Sequence, residues 1–269
     1  VPERDKSGRP HLRSESVLVR FADTGQVVID KNAGVVRPIA SITKLASMSV
    51  LLERAAEFEP WVEITEDDKD RLKWSRSRLR VGQRYQPEDL FTAALLASDN
   101  RAVYALVRSA GFPRESFVTL MNEHAARLGM KDTRFRDPAG VDPGNVSTAR
   151  DLILLLEAAS GLERIREVTR SDEAELVSES GRALALANTN RLARSERWEV
   201  LIGKTGYTAE AGRGLATRVL VDERPVDMVF LGAREMASVF GDAARVKRWM
   251  LDKRVAARSV GPGASASAD

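Results

Sequence analysis

The run WEVLIGKTGYTAEAGRGLATRVLVDERPVDMVFLG at 198–232 decides the architecture. Its apolar residues gather in three short stretches, at about 198–204, 214–221 and 226–232. Each has the length of a strand and is bounded by Gly, Pro or charged residues. Only Asp222-Glu223-Arg224-Pro225 separates the second from the third. That fits a hairpin and leaves no room for the helix that a parallel crossover needs. A further strand-like run lies at about 182–187. Downstream, Val239, Ala243, Val246 and Met250 recur at helical spacing, which predicts a helix over roughly 235–256.

The opposite end of the chain offers the matching half of a sheet. Val17, Val19 and Phe21 alternate with other residues, Asp23-Thr24-Gly25 turns the chain, and Val27-Val28-Ile29 returns. Between the two strand-rich ends the pattern is helical. A helix is expected from Ser41 to Ala56, on Ile42, Leu45, Met48 and Leu52. A second opens at Pro87 and runs to about Leu106, interrupted near Ser98. A third runs from Pro113 to Leu128 and closes at Gly129. A fourth follows Ser147, where Thr148 and Asp151 fit a capping box. The expected fold is therefore α+β, an antiparallel sheet sandwiched by helices with an inserted all-α lobe. Residues 1–15 read as a disordered arm and 257–269 as a disordered tail of small residues. A single domain spans 16–256, with a sheet lobe of about 16–56 and 180–256 and a helical lobe of about 57–179.

Composition narrows the chemistry. The 269 residues contain no Cys and only two His, His11 and His124. That rules out disulfides, a thiolate nucleophile and Cys-ligated zinc, and no metal or cofactor is expected. His11 lies in the polar arm and His124 within a helical run, so an enzyme built on this chain works without His. The net charge of +3 and pI near 9.3 are mildly basic. The run RLKWSRSRLR at 71–80 offers a polyanion binder as an alternative, but a solvated basic edge explains it better, and no nucleic acid partner is expected. No apolar run is long enough to span a bilayer.

Three short motifs carry the chemistry. Ser41-Ile42-Thr43-Lys44 is the single Ser-x-x-Lys, and it places both side chains on one helix face. A Ser at a helix start beside an amine can act as nucleophile without His, provided the amine can be neutral. Ser98-Asp99-Asn100 is the single Ser-x-Asn, and its three polar residues break an apolar helix. Lys204-Thr205-Gly206 is the single Lys-Thr-Gly and ends a strand. A Walker A loop is excluded there, because Trp198 stands where its first Gly belongs. All three motifs occur together by chance with a probability on the order of 0.01.

In this order the triple is the signature of penicillin-binding proteins and class A β-lactamases, and the sequence resembles that serine acyl-transfer superfamily. The likeness extends to SRLRVG at 77–82, LLASDNRAVYAL at 95–106, LGMKDTRFRDPAG at 128–140, NVSTARDL at 145–152 and KTGYTAEAGRGL at 204–215. These runs resemble D-alanyl-D-alanine endopeptidases of the penicillin-binding protein 7 type over roughly residues 16–256.

The resemblance implies roles. Ser41 would be acylated by a D-alanyl peptide, with Lys44 as base and Lys204 adding positive charge that favours a neutral Lys44 and draws in the substrate carboxylate. The backbone N–H groups of Ser41 and Tyr207 would form the oxyanion hole. Ser98 would pass a proton to the leaving amine, and Asn100 would orient Lys44 and the substrate. Thr205, Gly206, Tyr207, Thr208 and Arg213 would bind substrate. The implied partners are peptidoglycan peptides, with β-lactam antibiotics as covalent inhibitors, in the periplasm; any membrane association would be peripheral. No secretion signal is visible in VPERDKSGRP.

Three departures from relatives matter. Tyr207, not a hydroxyl residue of Ser/Thr type, follows the Lys-Thr-Gly, with Thr208 next. Val239 stands where some relatives carry a carboxylate-holding Arg, leaving Arg213 or Arg234 as substitutes. The Glu-x-x-Leu-Asn motif of class A β-lactamases is missing, which argues against efficient β-lactam hydrolysis. Carboxypeptidase, then β-lactamase, then polyanion binder are the alternatives to an endopeptidase.

Overall fold

A computed structural model describes residues 8–54 and 58–259. In chain order the elements are β1 (Ser16–Phe21), β2 (Val27–Lys31), β3 (Arg37–Pro38), a 3-10 turn (Ala40–Ile42) and α1 (Thr43–Arg54). Then come β4 (Val62–Glu63), a second 3-10 turn (Glu66–Asp68), β5 (Arg84–Tyr85), α2 (Pro87–Leu95), α3 (Asn100–Ser109) and α4 (Arg114–Arg127). β6 (Val146–Ser147), α5 (Ala149–Ser160), α6 (Glu163–Arg170), β7 (Glu173–Val177) and β8 (Ala183–Ala187) follow. The chain closes with β9 (Val200–Thr208), β10 (Gly212–Val221), β11 (Arg224–Ala233) and α7 (Met236–Ser259).

The expected α+β architecture is present. Five antiparallel strands lie in the order β2-β1-β11-β10-β9, so the two ends of the chain join where β1 pairs with β11. The β10–β11 hairpin turns on Asp222 and Glu223, both with positive φ (53° and 62°), the signature of a two-residue turn whose twist suits a hairpin. Alternation separates the two faces of the sheet. Val17, Val19, Leu215, Val219, Met228 and Phe230 pack with Val239, Val246 and Trp249 of α7. Leu18, Ile202, Ala216 and Val229 face the other way, into the core around α1 and α5. α1 is buried on every side from Thr43 to Leu51, Lys44, Ser47 and Ser49 included, so those polar groups need internal partners.

Three expectations need correction. Residues 8–15 do not behave as a free arm. The buried Asp242 carboxylate on α7 accepts the backbone N–H groups of Arg13 (3.0 Å) and Ser14 (2.7 Å) and the Ser14 hydroxyl (2.6 Å). Trp249 Nε1 also donates to the Gly8 carbonyl at 2.9 Å. A polar composition concealed this, because the segment is held largely by hydrogen bonds to a buried acid, with Leu12 as its apolar anchor in the core beneath α7. Second, the run at 182–187 is strand β8, but it pairs with β7 in a ribbon of its own, so the main sheet resumes only at β9. Third, α5 packs on β1, β10 and β11 as well as on α1, so it serves the sheet as much as the helical region. Residues 1–7, 55–57 and 260–269 lie outside the described residues, and with them most of the expected tail.

The break expected near Ser98 is real, and its cause is local. α2 ends at Leu95, Ser98 adopts a left-handed φ of 61°, and α3 restarts with Asp99 as N-cap, its carboxylate accepting the Ala102 N–H at 3.1 Å. No helix among the described residues is long and apolar enough to cross a membrane.

Candidate active site

Ser41 lies in the 3-10 turn that leads into α1, and the next turn carries Lys44 on the same face. The turn is tight. Ala40 before it has φ 47°, and the chain packs hard against two glycines. A Cβ on Gly206 would stand 2.5 Å from the Ile39 carbonyl oxygen and 3.2 Å from the Ile42 side chain. A Cβ on Gly140, already at φ 83°, would collide with the Ala40 carbonyl. The Gly of Lys-Thr-Gly is thus needed for close approach, since it lets strand β9 lie against the Ser41 turn.

Lys44 is the hub. Its buried Nζ lies 2.8 Å from Ser41 Oγ, 2.5 Å from Asn100 Oδ1 and 2.6 Å from the Ala139 carbonyl. Burial drives its pKa down to about 8, against the opposing pull of the Asp137, Asp99 and Asp70 carboxylates. A lysine so placed has a substantial neutral fraction near neutral pH and can accept the Ser41 proton. The expectation that Lys204 would neutralise Lys44 is replaced by a simpler cause, desolvation. Lys204 is itself fully buried, and burial first and the Lys44 charge second push its pKa well down.

Lys204 Nζ donates to Ser98 Oγ at 2.9 Å and to the Thr205 carbonyl at 3.1 Å. The two lysines and two serines therefore face one another across the junction of α1, the α2–α3 break and β9. The five residues expected to be catalytic fall into two hydrogen-bonded groups, Ser41–Lys44–Asn100 and Ser98–Lys204, coupled by the charge of Lys44 on Lys204 and sharing one cleft.

The network opens into a cleft of about 480 Å³ lined by Ser41, Ser98, Asn100, Thr205, Gly206 and Tyr207 among others. Thr205 Oγ1 donates to Thr189 Oγ1 at 2.8 Å. Tyr207 is 53% exposed, and the Arg213 guanidinium stacks 3.7 Å from its ring centre. Arg213 lines the cleft, and its buried Nε has no hydrogen-bond partner among the described residues. Thr208 is the exception among the expected substrate residues. Its Oγ1 accepts the Ala211 N–H at 3.1 Å, which commits it to the β9–β10 turn.

Sequence reasoning missed several contributors. Thr189, Arg191, Arg194 and Phe240 line the cleft, and Ser75 accepts the Asn100 Nδ2–H at 2.8 Å. The Ala139 carbonyl on Lys44 is fixed by Asp137, whose carboxylate accepts the N–H groups of Ala139 and Gly140 (2.6 Å each) and of Val141 and Asp142 (2.8 Å each). Burial nevertheless raises the Asp137 pKa above the ordinary value. The Asp-Pro-x-Gly string was a readable turn signal. The other contributors had no local signature. Neither His takes part: His11 is exposed, and His124 is buried on α4 beside Glu53. Among the described residues no cluster of three or more His, Asp or Glu could hold a metal.

Comparison with known proteins agrees with this geometry. The sequence is 35% identical over 256 residues to a D-alanyl-D-alanine endopeptidase of Pseudomonas aeruginosa, covering 94% of this chain and 83% of that one. It is 32% identical over 246 residues to the D-alanyl-D-alanine endopeptidase of Escherichia coli, covering 91% and 79%. The fold superposes on a Streptomyces DD-transpeptidase mutant with a TM-score of 0.82 at 24% identity, over 91% of this chain and all (100%) of that one. It also superposes on a penicillin-binding protein homologue from Mycobacterium tuberculosis with a TM-score of 0.81 at 23% identity, over 99% and 97%. The family described as D-alanyl-D-alanine carboxypeptidase matches residues 4–235. With a cleft-lining Ser41 beside a buried Lys44 in place of any His or Cys, and this sequence match over most of its length, the chain belongs to the D-alanyl-D-alanine carboxypeptidase family of serine peptidases.

Proposed function

We propose that this chain is a periplasmic D-alanyl-D-alanine endopeptidase that opens peptidoglycan cross-links through an acyl-enzyme on Ser41. The observation that carries the mechanism is the position of Lys44 Nζ, buried, 2.8 Å from Ser41 Oγ and with its pKa lowered to about 8. The endopeptidase reading draws on the relatives of that name, which share about a third of their residues with this chain.

In the first half-reaction neutral Lys44 takes the Ser41 proton as Oγ attacks the D-alanyl carbonyl. Negative charge develops on the carbonyl oxygen, which the backbone N–H groups of Ser41 and Tyr207 stabilise from two sides of the cleft. The leaving amine takes a proton from the Ser98 hydroxyl, which Lys204 orients from behind and which recovers a proton from protonated Lys44, so that Lys44 is neutral again. Water then attacks the ester as Lys44 takes its proton and passes it to Ser41 Oγ, and the acid leaves. Asn100 holds Lys44 through Oδ1, while Thr205 and Arg213 offer a hydroxyl and a cation to the carboxylate on the leaving residue. Gly206 keeps β9 close to Ser41, and Thr208 acts indirectly through the turn. No cofactor, metal or nucleic acid enters this scheme, and any membrane contact would be peripheral. We read the residues around this site as one domain whose sheet and helical lobes meet at the cleft.

The test is intact mass after exposure to a penicillin, with Ser41→Ala beside the wild type. A single adduct on the wild type and none on the variant is expected; no adduct, or equal adducts, rejects the reading. Cross-linked muropeptide dimers offered against monomeric pentapeptides then separate endopeptidase from carboxypeptidase.

A further inference from the structure

The basic run at 71–80 is not used by the chemistry above, yet the fold places it against the site. Asp70 is nearly buried, and its carboxylate accepts the N–H groups of Leu72 (2.9 Å), Lys73 (3.0 Å) and Ser75 (3.2 Å). These bonds coil residues 70–75 into a compact loop in which Trp74 adopts a left-handed φ of 51° and stays 73% exposed. One end of the loop reaches the catalytic network, where the Ser75 hydroxyl accepts the Asn100 Nδ2–H at 2.8 Å. The other end crosses to the sheet, where Lys73 Nζ pairs with the Glu210 carboxylate in the β9–β10 turn.

We propose that Lys73 and Glu210 form a clasp between the 70–75 loop and the β9–β10 turn, and that this clasp positions Asn100, and through it Lys44, for acylation. The inference rests on the serine-acylation reading above and adds two positioning residues to it. The chain of contacts is continuous: Glu210 to Lys73, Lys73 and Ser75 to the shared Asp70 carboxylate, Ser75 to Asn100, and Asn100 to Lys44. The turn that carries Glu210 follows Tyr207 by three residues, so the clasp also ties the Asn100 side of the cleft to the Tyr207 side. A left-handed Trp74 between the two anchors gives the loop little intrinsic preference for this conformation, so the anchors decide it. The pair is half exposed, at 33% and 40% of the two side chains, and is therefore open to screening by salt.

The experiment measures the rate of Ser41 acylation by a penicillin in four proteins. These are the wild type, Lys73→Gln, Glu210→Gln and the double exchange Lys73→Glu/Glu210→Lys. A clasp predicts that both single variants slow acylation in the same direction, by about three- to tenfold. The double exchange should recover to within about twofold of the wild type. Raising salt should slow the wild type and leave the two singles unchanged. Melting temperatures are recorded alongside, since a merely structural contact would lower them without this pattern of rates. Opposite effects of the two single variants would mean that the charges only steer an anionic ligand, and would overturn the proposal. So would unchanged rates, or a double exchange slower than either single. Absence of any adduct on the wild type would instead reject the acylation reading itself, so the two failures are distinct.

Discussion

Lys44 Nζ lies between Ser41 Oγ at 2.8 Å and Asn100 Oδ1 at 2.5 Å, with no carboxylate among the described residues in direct contact to hold its proton. The acids that surround it act from one residue further away: Asp137 on the loop that presents the Ala139 carbonyl, Asp99 capping α3, and Asp70 in the 70–75 loop. They raise the Lys44 pKa, burial lowers it more, and the balance settles at about 8. The neutral form is the competent base, so the sign is fixed. Acylation by a penicillin should rise about tenfold per pH unit below 8 and level off above it. Lys44→Arg should abolish it at every pH, because a guanidinium does not deprotonate in proteins. A flat rate between pH 6 and 9 would contradict the assignment.

Ser98 separates catalysis from stability. Its hydroxyl is held by Lys204 at 2.9 Å, while its backbone sits at a φ of 61°, where a Cβ is unfavourable. Ser98→Gly should therefore melt no lower than the wild type and slow acylation by about 10²- to 10⁴-fold through loss of the proton relay. Ser98→Ala should be as slow without the relief of backbone strain. Thermal melts beside quenched penicillin-binding time courses measure both quantities, and a Gly variant that acylates normally would remove Ser98 from the mechanism.

Much of this was legible in the chain itself, for identifiable reasons. The hairpin at Asp222-Glu223 and the Thr148 N-cap, whose Oγ1 accepts the Asp151 N–H while the Asp151 carboxylate turns to Asp132 and Thr133, are local signals, and local signals fix β10, β11 and the start of α5 within a few residues. The nucleophile, its base and the Ser98 relay stand in short motifs whose spacing is set by one helix turn or one chain break. What stayed hidden is what needs two distant segments at once. Ser75 gains its role only through Asn100, Thr189 only through Thr205, and residues 8–15 through Asp242, Trp249, Lys31 and Leu231. β8 was readable as a strand, but its partner β7, with charged residues at alternate positions in Glu173–Val177, was not. Thr208 was expected in the cleft by resemblance, as the hydroxyl nearest the Lys-Thr-Gly, but at the end of β9 its Oγ1 accepts the Ala211 N–H, a partner the motif does not show.

Gly206 shows how a motif residue can be structural. Its missing Cβ makes room for the Ile39 carbonyl oxygen, which would otherwise stand only 2.5 Å away, and backbone cannot yield as a side-chain tip can. Gly206→Ala should cost about 1–3 kcal/mol of stability. It should also slow acylation by about 10-fold or more, because displacing the 39–42 turn misplaces Ser41. Denaturant melts give the first figure and penicillin acylation the second. A variant that keeps wild-type values of both would show that β9 and the Ser41 turn are less tightly apposed.

Asp242 is the counterpart on the far side of the sheet, where stability should move and chemistry should not. Its buried carboxylate takes two backbone N–H groups and a hydroxyl from residues 13 and 14, and also pairs with Arg245. Asp242→Ala leaves those donors without an acceptor in a site where Ser14 is wholly buried, a loss of about 2–4 kcal/mol. Asp242→Asn keeps one acceptor oxygen and should lose less. Acylation at 25 °C should be unchanged in both, since the strap binds α7 and not the cleft. Limited proteolysis should cut the Asp242→Ala variant first within residues 8–15. The decisive measurement is a cycle with a chain lacking residues 1–15: if Asp242 acts through the strap, the truncation costs much less in the Asp242→Ala background than in the wild type. Fully additive losses would instead mean that Asp242 stabilises α7 through Arg245 alone, with the strap held by its other contacts.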